Sequence, residues 1–272
     1  YPETLINLGF LAGTGPMARF MDWANRLALR RASKVIVIGR CMRKIVEAKL
    51  PPSHRDRIES IHVWADDEHI KPLAKADNPL IDEWGLRGKF VVLYAGNMGR
   101  FHDMETIMDA ATCLISQGVE CAQIVFLIVG EGHKKAWCMS YAAEKKLPNV
   151  IFKSHVDREL LPALLGTGDL ALVSLLPGQE GLSVPSKTLA AMSAGSPVLA
   201  VMAAGSEMAC VVEEEGCGLR IENGDAEGLA AVIRKLSEDQ SRLSTMRINA
   251  RKAIDEKYSL ALAAERYLEI LR

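Results

Sequence analysis

Short apolar runs alternate with amphipathic stretches along most of the chain. The apolar runs predict strands at 34–38, 57–64, 89–96, 122–132, 149–156, 169–177, 196–203 and 217–223. Stretches with helical periodicity predict helices at 40–50, 103–118, 133–147, 157–168, 185–195, 206–216, 225–240 and 259–272. Strands that alternate with helices indicate parallel βαβ units, and continuous apolar runs indicate strands covered on both faces.

The predicted fold is therefore an α/β fold with a doubly wound parallel sheet. The pattern is regular from 89 to about 240, whereas 74–89 is polar, carries Pro and Gly, and is typical of a linker. In such sheets ligands bind beyond the carboxyl ends of the strands. We therefore expect the functional residues in the loops that follow Ala95, Val129, Phe152 and Leu176.

The loop AGNMGRFHD (95–103) is the first of these. Gly96 and Gly99 permit close approach of a ligand to the backbone, and Arg100 is suited to pair with phosphate oxygens. The loop matches neither GxGxxG nor GxxxxGK[ST], which argues against a dinucleotide fingerprint or a P-loop. An ordinary turn after a strand is the competing interpretation.

Two further loops each carry one polar candidate. Glu131 in GEG (130–132) is placed either to bind a ligand hydroxyl or to stabilise the start of the next helix. His155 follows the next apolar run, where it either borders a ligand pocket or has a structural role.

The segment EGLSVPSKTLAAMSAGSPVLA (180–200) is the most specific of the candidates. Pro185 suits a first helical turn, and Ser186 places a hydroxyl beside unpaired backbone N–H groups. Lys187 opposes the helix dipole, so its place there indicates anion binding more than helix stability. The chain shows no G-x-S-x-G, no HExxH and no carboxylate pair typical of glycosidases.

Composition narrows the class of protein. The chain has 272 residues, enough for about two domains, and is 49% hydrophobic and 25% charged, which is typical of globular proteins. A net charge of −1 gives no overall electrostatic case for nucleic acid binding. The 6 cysteines form no CxxC pair, which indicates reduced thiols and a cytoplasmic protein.

Several segments together resemble a known family. These are LYAGNMGRFHDMETIMDAA, IVGEG, NVIFKSHV, EGLSVPSKTLAAMSAGSPVLA and EEEGCGLRIENGD. They resemble the C-terminal half of a family 4 (group 1) glycosyltransferase of the bacterial surface-polysaccharide type. The resemblance implies a GT-B fold, with one complete Rossmann-like domain here and part of a second.

The resemblance also implies a division of the chain. Residues 1–75 would be the later part of the N-terminal acceptor domain, 76–88 the linker and 89–257 the nucleotide-sugar-binding domain. Residues 258–272 would form a helix that crosses back to the N-terminal domain. The chain would then be N-terminally truncated, without the acceptor site and the catalytic residues, so we expect it to bind the donor without transferring the sugar.

The implied activity is a retaining, metal-independent hexosyl transfer without a cofactor. The donor would be a UDP- or GDP-linked sugar, and the acceptor a lipid-linked or saccharide precursor of O-antigen, capsule or exopolysaccharide. The residues assigned to the donor diphosphate are Gly96, Asn97, Gly99, Arg100, Ser186 and Lys187. Those assigned to the nucleoside are Gly130, Glu131, His155, Val156 and Glu180, and those assigned to the sugar are His102 and Ser183.

The chain departs from the family pattern at four positions. Leu182 and Ala190 stand where most members have two acids, and Glu180 is the nearest candidate to replace them. Asn97 and His102 stand where an Arg and a Lys are widespread. A binding domain with a degenerate site, or a GT-B epimerase or phosphorylase, therefore remains an alternative to a transferase.

The segment GPMARFMDWANRLALRRASK (15–34) mixes basic with large apolar residues. Such a helix is suited to lie on an anionic membrane surface, which would make the protein peripheral at the inner face of the plasma membrane. The alternative is a helix packed inside the N-terminal domain.

Overall fold

The computed structural model describes residues 2–7, 9–118 and 123–272. Tyr1, Cys121 and the first residue of the strand predicted at 122–132 lie outside the described residues.

A six-stranded parallel sheet forms the centre of the molecule. Its strands are β3 Phe90–Ala95, β4 Ile124–Val129, β5 Val150–Lys153, β6 Leu170–Ser174, β7 Val198–Val201 and β8 Gly218–Ile221. They lie in the order β5-β4-β3-β6-β7-β8. Successive strands are therefore added outward on one side from β3 to β5 and on the other side from β6 to β8. The strand order reverses between β3 and β6, where a doubly wound sheet has its ligand crevice.

Twelve α-helices are described. They are α1 Pro2–Asn7, α2 Pro16–Arg31, α3 Arg40–Lys49, α4 Pro79–Glu83, α5 Met104–Ser116, α6 Lys135–Glu144, α7 Leu161–Leu165, α8 Lys187–Ser193, α9 Glu207–Glu214, α10 Ala226–Glu238, α11 Gln240–Ala253 and α12 Leu260–Leu271. The helix predicted at 185–195 begins later, at Lys187. Ser186 is its N-cap, and Pro185 lies in the segment before it.

Helices cover both faces of the large sheet. Val92 and Tyr94 of β3 pack in a cluster with residues of α5, α6 and α10. Val91 and Leu93 point to the opposite face and pack with α4 and α7. Because alternate side chains of one strand enter two cores, the strand sequence is apolar throughout, and the doubly wound prediction is confirmed.

The N-terminal part contains a second, smaller parallel sheet. It pairs β1 Val35–Val37 with β2 Ile58–Ser60, so the strand predicted at 57–64 is shorter than its apolar pattern. α3 packs on these strands, and its Val46 and the following Leu50 are buried in a cluster with Val37. This unit is the partial second Rossmann-like domain of the predicted fold.

The segment predicted as a linker is well packed. It contains α4, and it buries Leu80, Ile81 and Leu86 against the large sheet. Asn78 caps α4 by accepting a hydrogen bond from the backbone N–H of Leu80. This part of the chain therefore contributes to the core beside β3, and the proposed domain boundaries stay a prediction.

An ion-pair cluster joins the N-terminal part to the large sheet. The backbone N–H of Arg40, at the start of α3, donates to Oε2 of Glu207 at 2.5 Å. The Glu207 side chain is 2% exposed. The Arg40 guanidinium also forms two hydrogen bonds to Glu214, of 2.6 and 2.9 Å. A buried carboxylate of α9 thus caps a helix of the smaller unit.

Candidate functional site

Two glycine-containing loops meet at the carboxyl edge of the large sheet. A methyl group at Gly130, which has φ +136°, would lie 2.2 Å from the carbonyl oxygen of Gly96. Only glycine allows the loops to approach so closely. The backbone N–H of Met98 then donates to the carbonyl of Glu131 at 2.8 Å, which fixes the loop after β3 against the loop after β4.

Lys187 reaches these loops from the start of α8. Its Nζ donates to the hydroxyl of Tyr94 at 2.8 Å and lies 3.5 Å from the carbonyl oxygen of Asn97. A methyl group at Gly96 would lie 3.8 Å from that Nζ. Burial lowers the pKa of Lys187 to about 7. The ammonium is thus held at the switch point, in an environment that favours its neutral form unless an anion is close.

A cavity of about 270 Å³ opens beside Lys187. It lies between the carboxyl ends of β3, β4 and β6 and the helices α7 and α8, and Gly96, His155, Val156 and Lys187 are among its lining residues. Most of the remaining wall is aliphatic, from Leu93, Ala95, Val129, Leu161, Leu164, Leu165, Ala171, Leu172, Val173, Ala190 and Ala191. Its size is close to the lower limit of about 300 Å³ for ligand pockets, so it suits part of a nucleotide-sugar.

His102 bridges the loop after β3 to the end of β6. Its Nδ1 lies 2.8 Å from the carbonyl oxygen of Ser174, so the proton resides on Nδ1 and this nitrogen donates. Burial, and then the charge of Lys187, lower the pKa of His102 to about 4. His102 is therefore a neutral side chain at neutral pH, with Nε2 as an acceptor.

The remaining predicted residues of the phosphate and sugar groups lie outside the cavity lining. Asn97, Arg100 and Ser186 are exposed, and Gly99 and Ser183 are half-buried. The Ser186 side chain forms no cap hydrogen bond to α8. Arg100 belongs to the same loop as Asn97, whose carbonyl oxygen lies 3.5 Å from Nζ of Lys187. None of these five residues lines the cavity.

Both predicted carboxylates are bound elsewhere. Oε1 of Glu131 accepts from Nζ of Lys135, the first residue of α6, at 2.6 Å. Oε2 of Glu180 accepts from the backbone N–H of Gly178 at 2.8 Å, within its own loop. Of the five residues predicted for the nucleoside, only His155 and Val156 line the cavity, and Gly130, Glu131 and Glu180 do not.

Sequence reasoning missed Tyr94 and Arg158. Tyr94 is fully buried, and its hydroxyl donates to the carbonyl of Asn97 at 2.9 Å while it accepts from Lys187. Arg158 lines the cavity and pairs with Asp66 at 2.7 Å. The only sequence signal for Tyr94 is a hydroxyl near the end of an otherwise apolar strand. No sequence pattern distinguishes Arg158.

The described part of the chain lacks two features that would change the class of protein. No group of three or more His, Cys, Asp or Glu residues there is arranged to hold a metal ion. No helix within 2–7, 9–118 and 123–272 has the length and hydropathy needed to cross a bilayer.

Comparison with known proteins gives several relatives. WbjE of Pseudomonas aeruginosa, an inferred glycosyltransferase, is 28% identical over 100% of this chain and 66% of its own length. WcaI of Escherichia coli K12, an inferred glycosyl transferase of colanic acid biosynthesis, is 27% identical over 86% of this chain and 57% of its own length. The chain thus spans about two thirds or less of these relatives.

The fold also matches solved structures. Anabaena HepE, crystallised in complex with UDP, superposes with a TM-score of 0.75 at 20% identity, over 90% of this chain and 65% of HepE. This likeness confirms the predicted GT-B type of fold. Residues 89–239, which comprise the large sheet and the cavity, match the family described as glycosyl transferases group 1. The chain therefore belongs to the group 1 glycosyl transferases.

Proposed function

We propose that this chain carries the donor site of a glycosyltransferase that moves a sugar from a nucleoside-diphosphate sugar to a precursor of a cell-envelope polysaccharide. The observation that carries the proposal is the position of Lys187. In a group 1 glycosyl transferase, its ammonium lies at the switch point of the sheet, between a glycine loop and an apolar cavity. That arrangement suits an anion attached to a weakly polar group.

The diphosphate would lie against Gly96, Asn97 and Gly99, with the Lys187 ammonium on its oxygens. Arg100 is exposed beside this loop and is able to supply a second positive charge. α8 has only 7 residues, so its dipole adds little and most of the electrostatic stabilisation would come from the two side chains. These charges would stabilise the leaving nucleoside diphosphate during transfer.

The nucleoside would occupy the cavity. Its base would lie near His155 and Val156, whose backbone follows β5 without strand pairing in the described structure. The transferred sugar would lie toward His102 and Ser183, where Nε2 of His102 accepts a hydrogen bond from a sugar hydroxyl. Glu131 and Glu180 would contact the nucleoside only after their hydrogen bonds to Nζ of Lys135 and to the backbone N–H of Gly178 were broken.

The finer points of the activity are proposals as well. We infer a UDP- or GDP-linked hexose, retention of configuration, transfer without a metal ion, and a lipid-linked or saccharide acceptor. HepE binds UDP in its crystal, which makes UDP the first donor moiety to test. Because the chain spans 66% of the length of WbjE, we propose donor binding without transfer for this chain. We also propose its division into residues 1–75, 76–88, 89–257 and 258–272.

Calorimetry with UDP, GDP and their sugars tests the donor site. We expect the chain to bind at least one of them, and Lys187→Ala to weaken binding by about tenfold or more, the loss of one charged hydrogen bond. Lys252→Ala is the matched control, because Lys252 is exposed and lies 3.9 Å from its partner Glu256. Absence of all binding would overturn the donor site, and an unchanged Lys187→Ala variant would overturn the phosphate assignment.

A nucleotide-sugar-binding domain without transferase activity is the second candidate. This candidate is favoured by Ala190 in the cavity wall. The position is apolar here, whereas the carboxylate of most family members would bind ribose hydroxyls. A transfer assay with labelled UDP-sugar and extracted lipid acceptors separates the two functions when the residues of this chain replace the matching residues of full-length WbjE. Product from this chimera would favour the transferase, whereas donor binding without product, in an assay where unaltered WbjE forms product, would favour the binding domain.

We also propose that the protein is cytoplasmic and attaches to an anionic membrane through α2. Met17, Phe20 and Trp23 of this helix are 59%, 60% and 58% exposed. Arg19, Arg30 and Arg31 are exposed on the same helix, which suits anionic headgroups. Cosedimentation with phosphatidylglycerol vesicles should fall for a Phe20→Ser/Trp23→Ser variant. An absence of vesicle binding by the unchanged chain would instead favour packing of α2 inside the N-terminal domain.

A further inference from the structure

Lys134 contacts the loop after β3 at two separate points. Its backbone N–H donates to the carbonyl of Met98 at 2.9 Å. From the N-cap position of α6, its side-chain Nζ donates to the carbonyl of His102 at 2.8 Å. One residue is therefore bound to position 98 of the loop through its backbone and to position 102 through its side chain.

The three donors of the Lys134 ammonium are all used within the protein. Nζ also donates to both carboxylate oxygens of Glu105, at 2.8 and 2.7 Å, and the Lys134 side chain is 16% exposed. An ammonium carries three donors, which the His102 carbonyl and the two Glu105 oxygens occupy. The ammonium of Lys187 differs, because its partners are the Tyr94 phenol and, at 3.5 Å, a backbone carbonyl.

The loop that Lys134 contacts also fixes the His102 imidazole. Nδ1 of His102 lies 2.8 Å from the carbonyl oxygen of Ser174, while the backbone carbonyl of His102 accepts from Lys134. Burial, and then the charge of Lys187, lower the pKa of His102 to about 4, and the charge of Lys134 acts in the same direction. Loss of the Lys134 side chain would therefore release the end of the loop and ease the protonation of His102.

From these contacts we infer that Lys134 is a positioning residue of the donor site, which holds the loop after β3 in the conformation that binds the diphosphate without touching the ligand itself. A hydrogen bond from a charged donor is stronger than one between neutral groups, so it suits this task. The inference rests on the proposed function, because that function assigns the diphosphate to this loop.

The affinity of a Lys134→Met variant is the first test. With the nucleotide that the unchanged chain binds, calorimetry should show binding weaker by about fivefold or more, since a charged hydrogen bond to the loop is lost. Lys134→Gln replaces this variant if it does not fold. An affinity within about twofold of that of the unchanged chain would overturn the inference.

Lys257→Met is the matched control for this substitution. Nζ of Lys257 also donates to both carboxylate oxygens of a glutamate, Glu215, at 2.8 Å, and neither residue lines the cavity. The control loses a lysine–glutamate pair of the same kind without affecting the loop after β3. Its affinity for the nucleotide should therefore equal that of the unchanged chain.

A double variant separates the bond to the loop from the ion pair. Lys134→Met leaves the Glu105 carboxylate, in the first turn of α5, without this cation, and an uncompensated carboxylate would itself repel a diphosphate. Lys134→Met/Glu105→Gln removes that charge, and its affinity should stay as low as that of Lys134→Met. Recovery of the affinity of the unchanged chain would overturn the inference, because Lys134 would then act only by neutralising Glu105.

The titration of His102 tests the loop contact without any ligand. NMR spectra of the imidazoles, with His102→Gln to identify the His102 signals, should show its pKa rising in Lys134→Met toward the ordinary value of about 6.5. In Lys257→Met the pKa should stay at about 4. A role of Lys134 in overall stability alone would leave the titration unchanged, so equal His102 pKa values in the two variants would overturn the inference.

The outcomes separate the two proposals. If no nucleotide binds to the unchanged chain, the proposed function fails and the inference about its donor site fails with it. If a nucleotide binds, and Lys134→Met changes neither its affinity nor the titration of His102, the donor site stands and only the inference about Lys134 fails.

Discussion

Nζ of Lys187 lies 2.8 Å from the hydroxyl oxygen of Tyr94 and 4.2 Å from the centroid of the Tyr94 ring. A phenol and a ring face are neutral partners, so they compensate only part of the cost of removing an ammonium from water. Burial accordingly lowers the pKa of Lys187 to about 7. The side chain is positioned for an anion before one is present, and its charge depends on that anion.

The first prediction is that donor binding takes up a proton above neutral pH. Below the pKa of about 7, Lys187 is already charged, and above it the free site is neutral while the diphosphate favours the ammonium. The affinity should therefore fall as pH rises from 7 to 9. Calorimetry in buffers of different ionisation enthalpy measures the number of protons taken up per donor molecule bound. This number should be close to one at pH 9 and close to zero at pH 6.

The ligand for this experiment is an intact nucleotide-sugar, since its diphosphate has no terminal phosphate that titrates near neutral pH. His102, with a pKa of about 4, stays neutral throughout the range and does not interfere. A dissociation constant that stays the same from pH 6 to 9 would argue against Lys187 as the phosphate ligand.

The second prediction concerns stability. Because the folded pKa of Lys187 lies below its ordinary 10.5, the unfolded chain holds the proton more tightly between about pH 7 and 10.5. Stability should therefore rise with pH across that window. Lys187→Met removes the free-energy cost of burying the ammonium and should stabilise the fold below pH 7 by at least about 1 kcal/mol. Each kcal/mol corresponds to a Tm increase of about 2–4 °C.

Differential scanning calorimetry at pH 6 and pH 10 measures the effect, which should shrink at the higher pH. The same variant should lose nucleotide binding, so a stabilised protein without binding is the expected pair of results. A lower Tm for Lys187→Met at pH 6 would contradict this account of Lys187.

The third prediction assigns a positioning role to the Tyr94 hydroxyl. Tyr94→Phe keeps the ring beneath Lys187 but removes a donor to the Asn97 carbonyl and an acceptor from Nζ. Nucleotide binding should weaken by about 1–2 kcal/mol, which corresponds to roughly fivefold to thirtyfold, and stability should fall by about 1 kcal/mol.

Tyr141→Phe is the matched control, because the Tyr141 hydroxyl bonds to Asp109 on an exposed part of the surface. It should leave nucleotide binding unchanged. Equal affinities of Tyr94→Phe and the unchanged chain would mean that Lys187 keeps its position without the hydroxyl.

The fourth prediction concerns the contact between the two units. Glu207→Ala leaves the Arg40 N–H and the guanidinium without their buried partner and should destabilise the chain by about 3 kcal/mol. Glu222→Ala breaks an ion pair to Arg220 whose glutamate is 59% exposed and should cost less than about 1 kcal/mol. Thermal midpoints of the two variants provide the comparison, and equal midpoints would show that the Glu207 contact contributes little.

The sheet could be predicted because its strands are buried on both faces. β4 shows both the reach and the limit of this signal, since its apolar run was expected to end in a loop after Val129, where the strand ends, but the path of that loop is not contained in the pattern. The chain turns at Gly130, whose positive φ directs the loop toward Gly96. A backbone turn of this kind depends on the neighbouring loop and leaves no mark on hydrophobic periodicity.

The location of the cavity could be predicted from the sequence, but its contacts only in part. Gly96, His155, Val156 and Lys187 meet around the cavity because the carboxyl ends of parallel strands share one edge. The partners of Glu131 and Glu180 could not be predicted, since a loop carboxylate turns toward whichever donor is nearest in the folded chain. Tyr94 was missed because an aromatic residue in an apolar strand is indistinguishable from an ordinary core residue.

The cavity takes its walls from β3, β4, α7, β6 and α8, which lie on both sides of the point where the strand order reverses. The lining residues run from Leu93 to Ala191, so no single strand or helix among these five elements forms the walls alone. A ligand in the cavity therefore binds only the native state, and at a hundred times its dissociation constant it adds about 2.7 kcal/mol to the unfolding free energy. A nucleotide-induced rise in melting temperature would consequently report the assembly of the whole sheet. A substitution that weakens the packing of β3 against β6 would lower the affinity for the nucleotide even though the substituted residue does not contact the ligand.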